Sequence, residues 1–135
     1  MVSAQTLQLV LVTPEKTLLD EPVAGLRFPL FDGQIGIRPG RAPMVGRLGY
    51  GELKITMLAG GEKSYYIDGG FVQVKGSTVS ILTNRAVPAA EIRAEDARVL
   101  LEQANARVAT TDTAAATRAR DQERARRMLS LAQSR

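Results

Sequence analysis

Apolar and polar residues alternate with a period of two in several short runs of the first 86 residues. The clearest run sets Leu53, Ile55 and Met57 between polar neighbours. The same alternation recurs at Val72 and Val74 and at Val79 and Ile81. A period of two places alternate side chains on one buried face of a strand, and glycine-rich turns separate these runs. The pattern predicts an antiparallel sandwich or barrel of short strands, without a parallel strand-helix-strand unit.

One turn in this region, at Asp68-Gly69-Gly70, precedes an aromatic residue. Glycine there permits a positive φ or a bulge, and we expect Phe71 to enter the core. Asp68 is a candidate general base, but no nucleophile or second acid stands near it in the sequence. A turn is therefore the favoured interpretation of this segment.

The period changes after Pro88 to that of a helix. Apolar residues fall on one helical face at Ala97, Leu100, Leu101, Ala104 and Val108. The polar break from Thr110 to Thr113 then offers several N-caps. A second helical face follows at Ala125, Met128, Leu129 and Ala132. Two helices with so short a link pack antiparallel, so we expect a sandwich domain over 1–86 and a helical hairpin over 87–135.

Alanine dominates the predicted contact face of this hairpin. Each buried methyl-sized group contributes only about 0.8 kcal/mol. Docking of the hairpin onto the strands should therefore be modest and reversible, and the hairpin is the segment that we expect to move.

The composition excludes several classes of chemistry. The 135 residues include no Cys and no His, so disulfides, thiolate nucleophiles, Cys/His zinc sites and histidine general bases are all excluded. The N-terminus does not resemble a signal peptide, and no apolar stretch is long enough to span a bilayer. We therefore expect a soluble cytoplasmic protein, and an enzyme of this composition would work without the commonest catalytic side chains. The net charge of +4 permits an acidic partner but does not demand nucleic acid.

The second helix is rich in arginine. It carries Arg118, Arg120, Arg124, Arg126 and Arg127. One interpretation is docking onto an acidic surface; the other is a solvated helix face, supported by the Glu123 to Arg127 spacing. Nucleic-acid binding is a weaker hypothesis because the helix lacks a stacking aromatic. Membrane-surface binding is also weak because the apolar face lacks Trp and Phe.

A second candidate contact region is the glycine-rich segment from Gly33 to Gly40. It lacks the Gly-Lys-Ser/Thr end of a phosphate loop. We interpret it as a turn-rich, exposed connection with Gln34, Arg38 and Arg41 at its tip, which suits a contact loop.

Four segments resemble the epsilon subunit of bacterial F-type ATP synthases in order and spacing. They are LVLVTPEKTLLDEPV at 9–23, GQIGIRPGRAPMVGRLGYGEL at 33–53, YYIDGGFVQV at 65–74 and VSILTNRAV at 79–87. The resemblance implies a ten-stranded β-sandwich followed by a two-helix hairpin, without a catalytic site or a cofactor. It also implies a peripheral position on the cytoplasmic face of the cell membrane, reached only through the complex.

The resemblance further implies partners. In this family the sandwich binds the gamma subunit and rests on the ring of c subunits, so Gln34, Arg38 and Arg41 become the ring-contact candidates. Most relatives carry His in place of Arg41 and often an acid in place of Gln34. The hairpin can extend beside gamma and inhibit ATP hydrolysis through basic contacts with the catalytic beta and alpha subunits. The five helix arginines are the candidates for those contacts.

Some members of this family bind ATP through an Asp-x-x-Arg-Ala motif at the start of the first helix. Here Arg93 and Asp96 stand at those positions with their charges reversed, and a carboxylate facing a phosphate repels it. We therefore expect no tight ATP binding. The competing hypothesis from another functional class is a β-sandwich module that binds nucleic acid or another anionic ligand through the basic helix.

Overall fold

The computed structural model describes residues 6–133. Its strands are β1 (Leu7–Val12), β2 (Thr17–Val23), β3 (Gly25–Leu30), β4 (Gly33–Ile37), β5 (Met44–Arg47), β6 (Tyr50–Thr56), β7 (Glu62–Asp68), β8 (Phe71–Lys75), β9 (Thr78–Leu82) and β10 (Ala86–Pro88). They form a first sheet in the order β2-β1-β9-β8-β5 and a second sheet in the order β10-β7-β6-β3-β4. The predicted β-sandwich is confirmed.

One strand pair differs from the antiparallel prediction. All neighbouring strands pair antiparallel except β1 and β9, which run parallel from the Gln8–Thr78 pair to the Val12–Leu82 pair. These strands lie far apart in the sequence, so a long connection through the second sheet brings β9 beside β1 in the same direction. Local alternation predicts a strand but carries no information about its remote neighbour.

The sandwich core consists of the alternating apolar residues. Leu53, Ile55, Val72 and Val74 are almost completely buried, as their spacing predicts. Val79 and Ile81 are also buried, whereas Met57 is only partly buried and packs at the edge of this cluster.

Phe71 is 60% exposed, so its predicted place in the core is wrong. Val72 and Val74 of the same strand point inward, and the pleat therefore turns Phe71 to the opposite face. Turn geometry at Gly70 does not change this parity.

A short 3-10 turn at Ala89–Glu91 leads into two helices, α1 (Ala94–Ala106) and α2 (Asp112–Gln133). The amide of Ala114 donates to the Thr111 hydroxyl over 3.0 Å, so Thr111 caps α2 within the predicted polar break. Side-chain bonds from Gln122 to Asn105 and from Arg107 to Asp121 join the helices near the link. The hairpin is antiparallel, as predicted.

The predicted inner face of α1 is only partly correct. Ala97 and Ala104 are buried, but Leu100 is 45% exposed. Val108 is 85% exposed because α1 ends at Ala106, two residues earlier. On α2, Ala125, Met128 and Ala132 are buried as expected.

Candidate functional site

The hairpin packs through α2 on the outer face of the second sheet, across β6 and β7. This sheet contributes side chains to two apolar clusters, as the adjacent residues Tyr66 and Ile67 of β7 show. Ile67 points into the sandwich, and Tyr66 points outward to the hairpin. The hairpin cluster consists of Tyr66, Ala89, Ile92, Ala97, Met128, Leu131 and Ala132. Three of the seven are alanines, so this interface holds less apolar surface than the sandwich core.

Arg124 of α2 binds the sandwich directly. Its Nε donates to Asp68 Oδ1 over 3.0 Å, and its guanidinium lies 4.9 Å from the centroid of the Tyr50 ring. Within residues 6–133 this is the only ion pair between hairpin and sandwich. Burial opposes the charge on Arg124, but the charge and hydrogen bond of the Asp68 carboxylate, together with nearby Tyr50 and Tyr66, raise the pKa of the arginine.

The backbone of Asp68 is held in place by the neighbouring β9–β10 link. Its amide donates to the Thr83 hydroxyl over 3.0 Å, and its carbonyl accepts from Asn84 Nδ2 over 3.0 Å. Asp68 therefore presents its carboxylate to Arg124 from a fixed turn. This ion pair gives Asp68 a structural role, and sequence reasoning missed it because 56 residues separate the partners.

Tyr66 lies beneath this ion pair and is 1% exposed. Among the residues described, its hydroxyl has no hydrogen-bond partner. Burial, followed by the nearby Asp68 carboxylate, raises the pKa of Tyr66 above its ordinary value. The side chain is therefore neutral and serves as the central apolar contact of the docked hairpin.

Asp121 joins the arginines of the hairpin to one another. It accepts from Arg107 over 2.7 Å and from Arg124 over 3.2 Å. Arg118 also donates to the Arg107 carbonyl over 2.9 Å. The hydrogen bond from Arg107 lowers the pKa of Asp121 below its ordinary 3.8, although burial opposes this shift.

Acid should loosen the hairpin through Asp121. Because its folded-state pKa is lowered, its contribution to stability is complete above the ordinary pKa of 3.8 and is lost as the pH falls through the lowered value. We expect the stability difference between the wild type and Asp121→Asn to shrink as the pH drops from about 5 to about 2. Urea unfolding followed by helical circular dichroism measures it. A difference that stays constant over this range would contradict the assignment.

The five predicted contact arginines occupy different environments. Arg124 faces the sandwich, and Arg118 binds the interhelix link. Arg127 pairs with Glu123 over 2.5 Å, the spacing expected of a solvated helix face. Arg120 and Arg126 are exposed and have no ion pair in the part of the chain that the structure describes. The structure therefore does not gather the five guanidinium groups into one patch.

The three predicted loop residues are all exposed but do not share one tip. Gly33–Ile37 is the edge strand β4, so the turn-rich interpretation is wrong for that part and correct only for residues 38–43. Gln34 lies on β4 beside Arg127 of α2, in a groove of about 220 Å³. Arg38 follows the other end of β4, about 13 Å away at strand spacing. Arg41 lies in the loop that crosses to β5.

The outer face of the first sheet carries an exposed apolar row that the sequence reasoning missed. Phe71 lies opposite Leu82 on one side and Arg47 on the other. Val45 is 74% exposed on the same edge strand as Arg47. The Arg47 guanidinium lies 4.9 Å from the centroid of the Phe31 ring. Strand parity alone signals this surface, because the inward valines at 72 and 74 imply an outward Phe71.

Residues 6–133 hold neither a cluster of metal ligands nor a membrane-spanning helix. No group of three acidic side chains in this range is placed to bind a metal ion. None of its helices combines the length and the apolar character needed to cross a bilayer.

Residues 6–89 match the family model described as ATP synthase, Delta/Epsilon chain, beta-sandwich domain. The ATP synthase epsilon chain of Rhodopirellula baltica is 43% identical over 99 residues, which cover 73% of this chain and 77% of that one. The sodium ion specific ATP synthase epsilon chain of Propionigenium modestum is 34% identical over 93 residues, covering 69% and 67%.

Two solved structures contain chains of the same fold. A chain of the Euglena gracilis mitochondrial ATP synthase, in a structure of OSCP, F1 and the c-ring, aligns with a TM-score of 0.86 and 27% identity, covering 93% of this chain and 81% of that one. A chain of the Tetrahymena thermophila mitochondrial enzyme, in a central stalk and c-ring structure, shares the fold at a TM-score of 0.74 and 19% identity, covering 95% and 97%. With the sandwich, the hairpin and the four sequence segments all in agreement, the chain belongs to the epsilon-chain family of the F-type ATP synthases.

Proposed function

We propose that this chain is a non-catalytic subunit of the rotating central stalk, where it couples ion flow through the membrane ring to ATP synthesis and carries a regulatory hairpin. The observation that carries this proposal is the small interface between α2 and the sandwich. One cluster of seven buried apolar residues, three of them alanines, and one ion pair, Arg124 with Asp68, hold the two parts together within the described residues. Such an interface supports a hairpin that exchanges between two positions.

The proposed surface for the gamma subunit is the apolar row on the first sheet. Val45 and Phe71 are each at least 60% exposed there, and the exposed ring of Phe31, from the β3–β4 turn of the second sheet, lies beside Arg47 of this row. The hairpin packs on the opposite sheet, across β6 and β7. Exposed contiguous apolar surface of this kind typically marks a protein interface. Gamma can therefore bind this sheet whether the hairpin is docked or extended.

The proposed contacts with the c-ring lie along β4 and its following loop. Arg38 and Arg41 are exposed at one end of this edge, and Gln34 is exposed at the other. The spacing of about 13 Å between Gln34 and Arg38 requires a contact that runs along the strand rather than a single loop tip. Through the ring, the protein would sit peripherally on the cytoplasmic face of the membrane.

The proposed inhibitory contacts with the beta and alpha subunits require an extended hairpin. Arg120, Arg126 and Arg127 are exposed in the docked state, whereas Arg124 is bound to Asp68. Arg124 therefore exchanges its partner when the hairpin undocks. The same guanidinium that holds the docked position becomes available to an acidic surface of a catalytic subunit.

The test of membership in the stalk is capture of the tagged chain from solubilised membranes. We expect gamma, c, alpha and beta subunits to be recovered with it. Replacing Phe71 with serine should weaken the recovery of gamma, whereas replacing the exposed Arg98 of α1 should leave it unchanged. Capture without gamma would overturn the proposal, and binding of nucleic acid instead would favour the alternative module, which the comparisons do not support.

The regulatory role has its own prediction. Changing Arg118, Arg120, Arg124, Arg126 and Arg127 together to alanine should raise ATP hydrolysis by the assembled complex about fivefold or more, the scale of a typical coupling between sites. The matched control changes Arg93 and Arg98 of the same hairpin to alanine. Hydrolysis rates equal to the wild type in the five-residue variant would remove the inhibitory role and leave the coupling role intact.

A further inference from the structure

A recess of about 180 Å³ lies at one end of the second sheet, formed by β3, β4 and β6. We call it the basic recess, and its charged lining residues are Arg27, Arg38, Lys54 and Glu62. Three cations face one carboxylate, a formal excess of two positive charges. Neither the stalk contacts nor the hairpin contacts described above use Arg27 or Lys54.

The strand register sets two of these cations directly against each other. Arg27 of β3 lies opposite Lys54 of β6, so both side chains occupy the same outer face. Like charges directly opposite on neighbouring strands destabilise a sheet. Lys54 has a partner in Glu62 at 3.6 Å, whereas Arg27 and Arg38 have no ion pair anywhere in residues 6–133. The repulsion is therefore only partly offset inside the chain.

Two glycines keep the recess open between these cations. Gly36 lies opposite Arg27 on β4, and Gly25 precedes Arg27 on β3. Neither has the positive φ that demands glycine, and a Cβ on either would meet protein atoms no closer than 3.5 Å. The backbone alone does not require glycine at these positions. Glycine inside a strand often marks a close approach by a ligand, and a Cβ at Gly25 would stand 4.0 Å from the Arg38 guanidinium.

We propose that the basic recess binds a phosphate group. Guanidinium and ammonium groups are the side chains that bind phosphate oxygens in proteins, through charge-assisted hydrogen bonds. A bound dianion neutralises the excess of two charges and removes the repulsion between Arg27 and Lys54. Because Gly36 has no side chain, the phosphate oxygens can approach the backbone of the strands. The phosphate group belongs either to a free anion or to a lipid headgroup.

The full chain tests the proposal with two probes at low ionic strength. Pyrophosphate, followed by amide chemical shifts, should perturb the ends of β3, β4 and β6. Vesicles of phosphatidylglycerol, compared with phosphatidylcholine, should reveal a headgroup site by flotation. Binding of pyrophosphate alone assigns a free anion, and selective flotation assigns a lipid. Neither response in the wild type would overturn the proposal.

Three variants distinguish binding in the basic recess from nonspecific attraction to a positively charged protein. Arg27→Gln should weaken binding about tenfold, the scale of one lost charge-assisted hydrogen bond, and, because it removes the repulsion from Lys54, raise the melting temperature without ligand. Gly36→Ala should weaken binding without any change of charge. Arg98→Gln removes a charge from an exposed position on α1 and should leave binding nearly unchanged. Equal weakening by Arg27→Gln and Arg98→Gln, or a lower melting temperature for Arg27→Gln with unchanged binding, would overturn the proposal.

Discussion

Gly70→Ala should destabilise the sandwich by about 3–5 kcal/mol, a large part of the stability of a domain this size. Gly70 has a φ of +107°, and a Cβ there would overlap the Leu82 carbonyl oxygen and lie 2.8 Å from Thr83 Cα. The obstacle is the backbone at the end of β9 and the first residue after it, which cannot rotate away as a side chain can. Urea unfolding followed by circular dichroism measures the loss.

The matched control for this variant is Gly76→Ala. Gly76 also has a positive φ, +60°, but a Cβ added to it would have no atom within 4 Å. Gly76→Ala should therefore lose only about 1 kcal/mol of stability, the cost of a left-handed backbone conformation for alanine. If the two variants lost the same stability, the close approach at Gly70 would not be responsible.

The effect at Gly70 has a functional consequence. The carbonyl of Gly70 accepts from the Leu48 amide over 2.8 Å, and the Gly69 amide donates to the Gly49 carbonyl over 3.1 Å. These bonds fix the turn that begins at Asp68. The Gly-Gly pair of the recognisable YYIDGGF segment therefore shapes the site to which the hairpin docks.

Breaking the ion pair between Asp68 and Arg124 should undock the hairpin without unfolding the sandwich. The side chains of Asp68 and Arg124 are 13% and 35% exposed. Because solvent screens the arginine, we expect a coupling of about 1–2 kcal/mol rather than the larger value of a fully buried pair. This corresponds to roughly a tenfold loss of docking. Hydrogen exchange of the α2 amides in Asp68→Asn measures it, with the β1 amides as an internal reference.

A double-mutant cycle assigns this effect to the pair. Asp68→Ala and Arg124→Ala together should cost less than the sum of the single changes, because each single change already removes the same bond. Arg126→Ala is the control, since Arg126 is exposed on the same helix and unpaired within the described residues. Equal loss of α2 protection in Arg124→Ala and Arg126→Ala would show that the ion pair does not hold the hairpin.

Local spacing predicted the features that depend on near neighbours along the chain. Leu53, Ile55, Val72 and Val74 face the core because a strand alternates its side chains, whatever strand lies beside it. Thr111 caps α2 because its hydroxyl reaches an amide only three residues away. The same parity predicts an exposed Phe71, because Val72 and Val74 of its strand face the core.

Local spacing does not predict contacts between residues that lie far apart in the sequence. The parallel pairing of β1 with β9 joins positions 70 residues apart, such as Gln8 and Thr78. The exposure of Leu100 and Val108 depends on where α1 meets the sandwich and where it ends. The separation of Gln34 from Arg38 arose because half of the supposed loop pairs with β3 as a strand.

The amino-acid sequence by itself determined the two structural classes, their order and the family, because alternation, helical spacing and the glycine-rich segments are properties of short stretches of chain. The tertiary structure alone decided which side chains from different stretches meet. It placed Arg124 against Asp68 and set Arg27 opposite Lys54. The physical reason is that hydrophobic burial depends on periodicity, whereas an ion pair or a binding recess depends on the spatial register of segments that no local pattern connects.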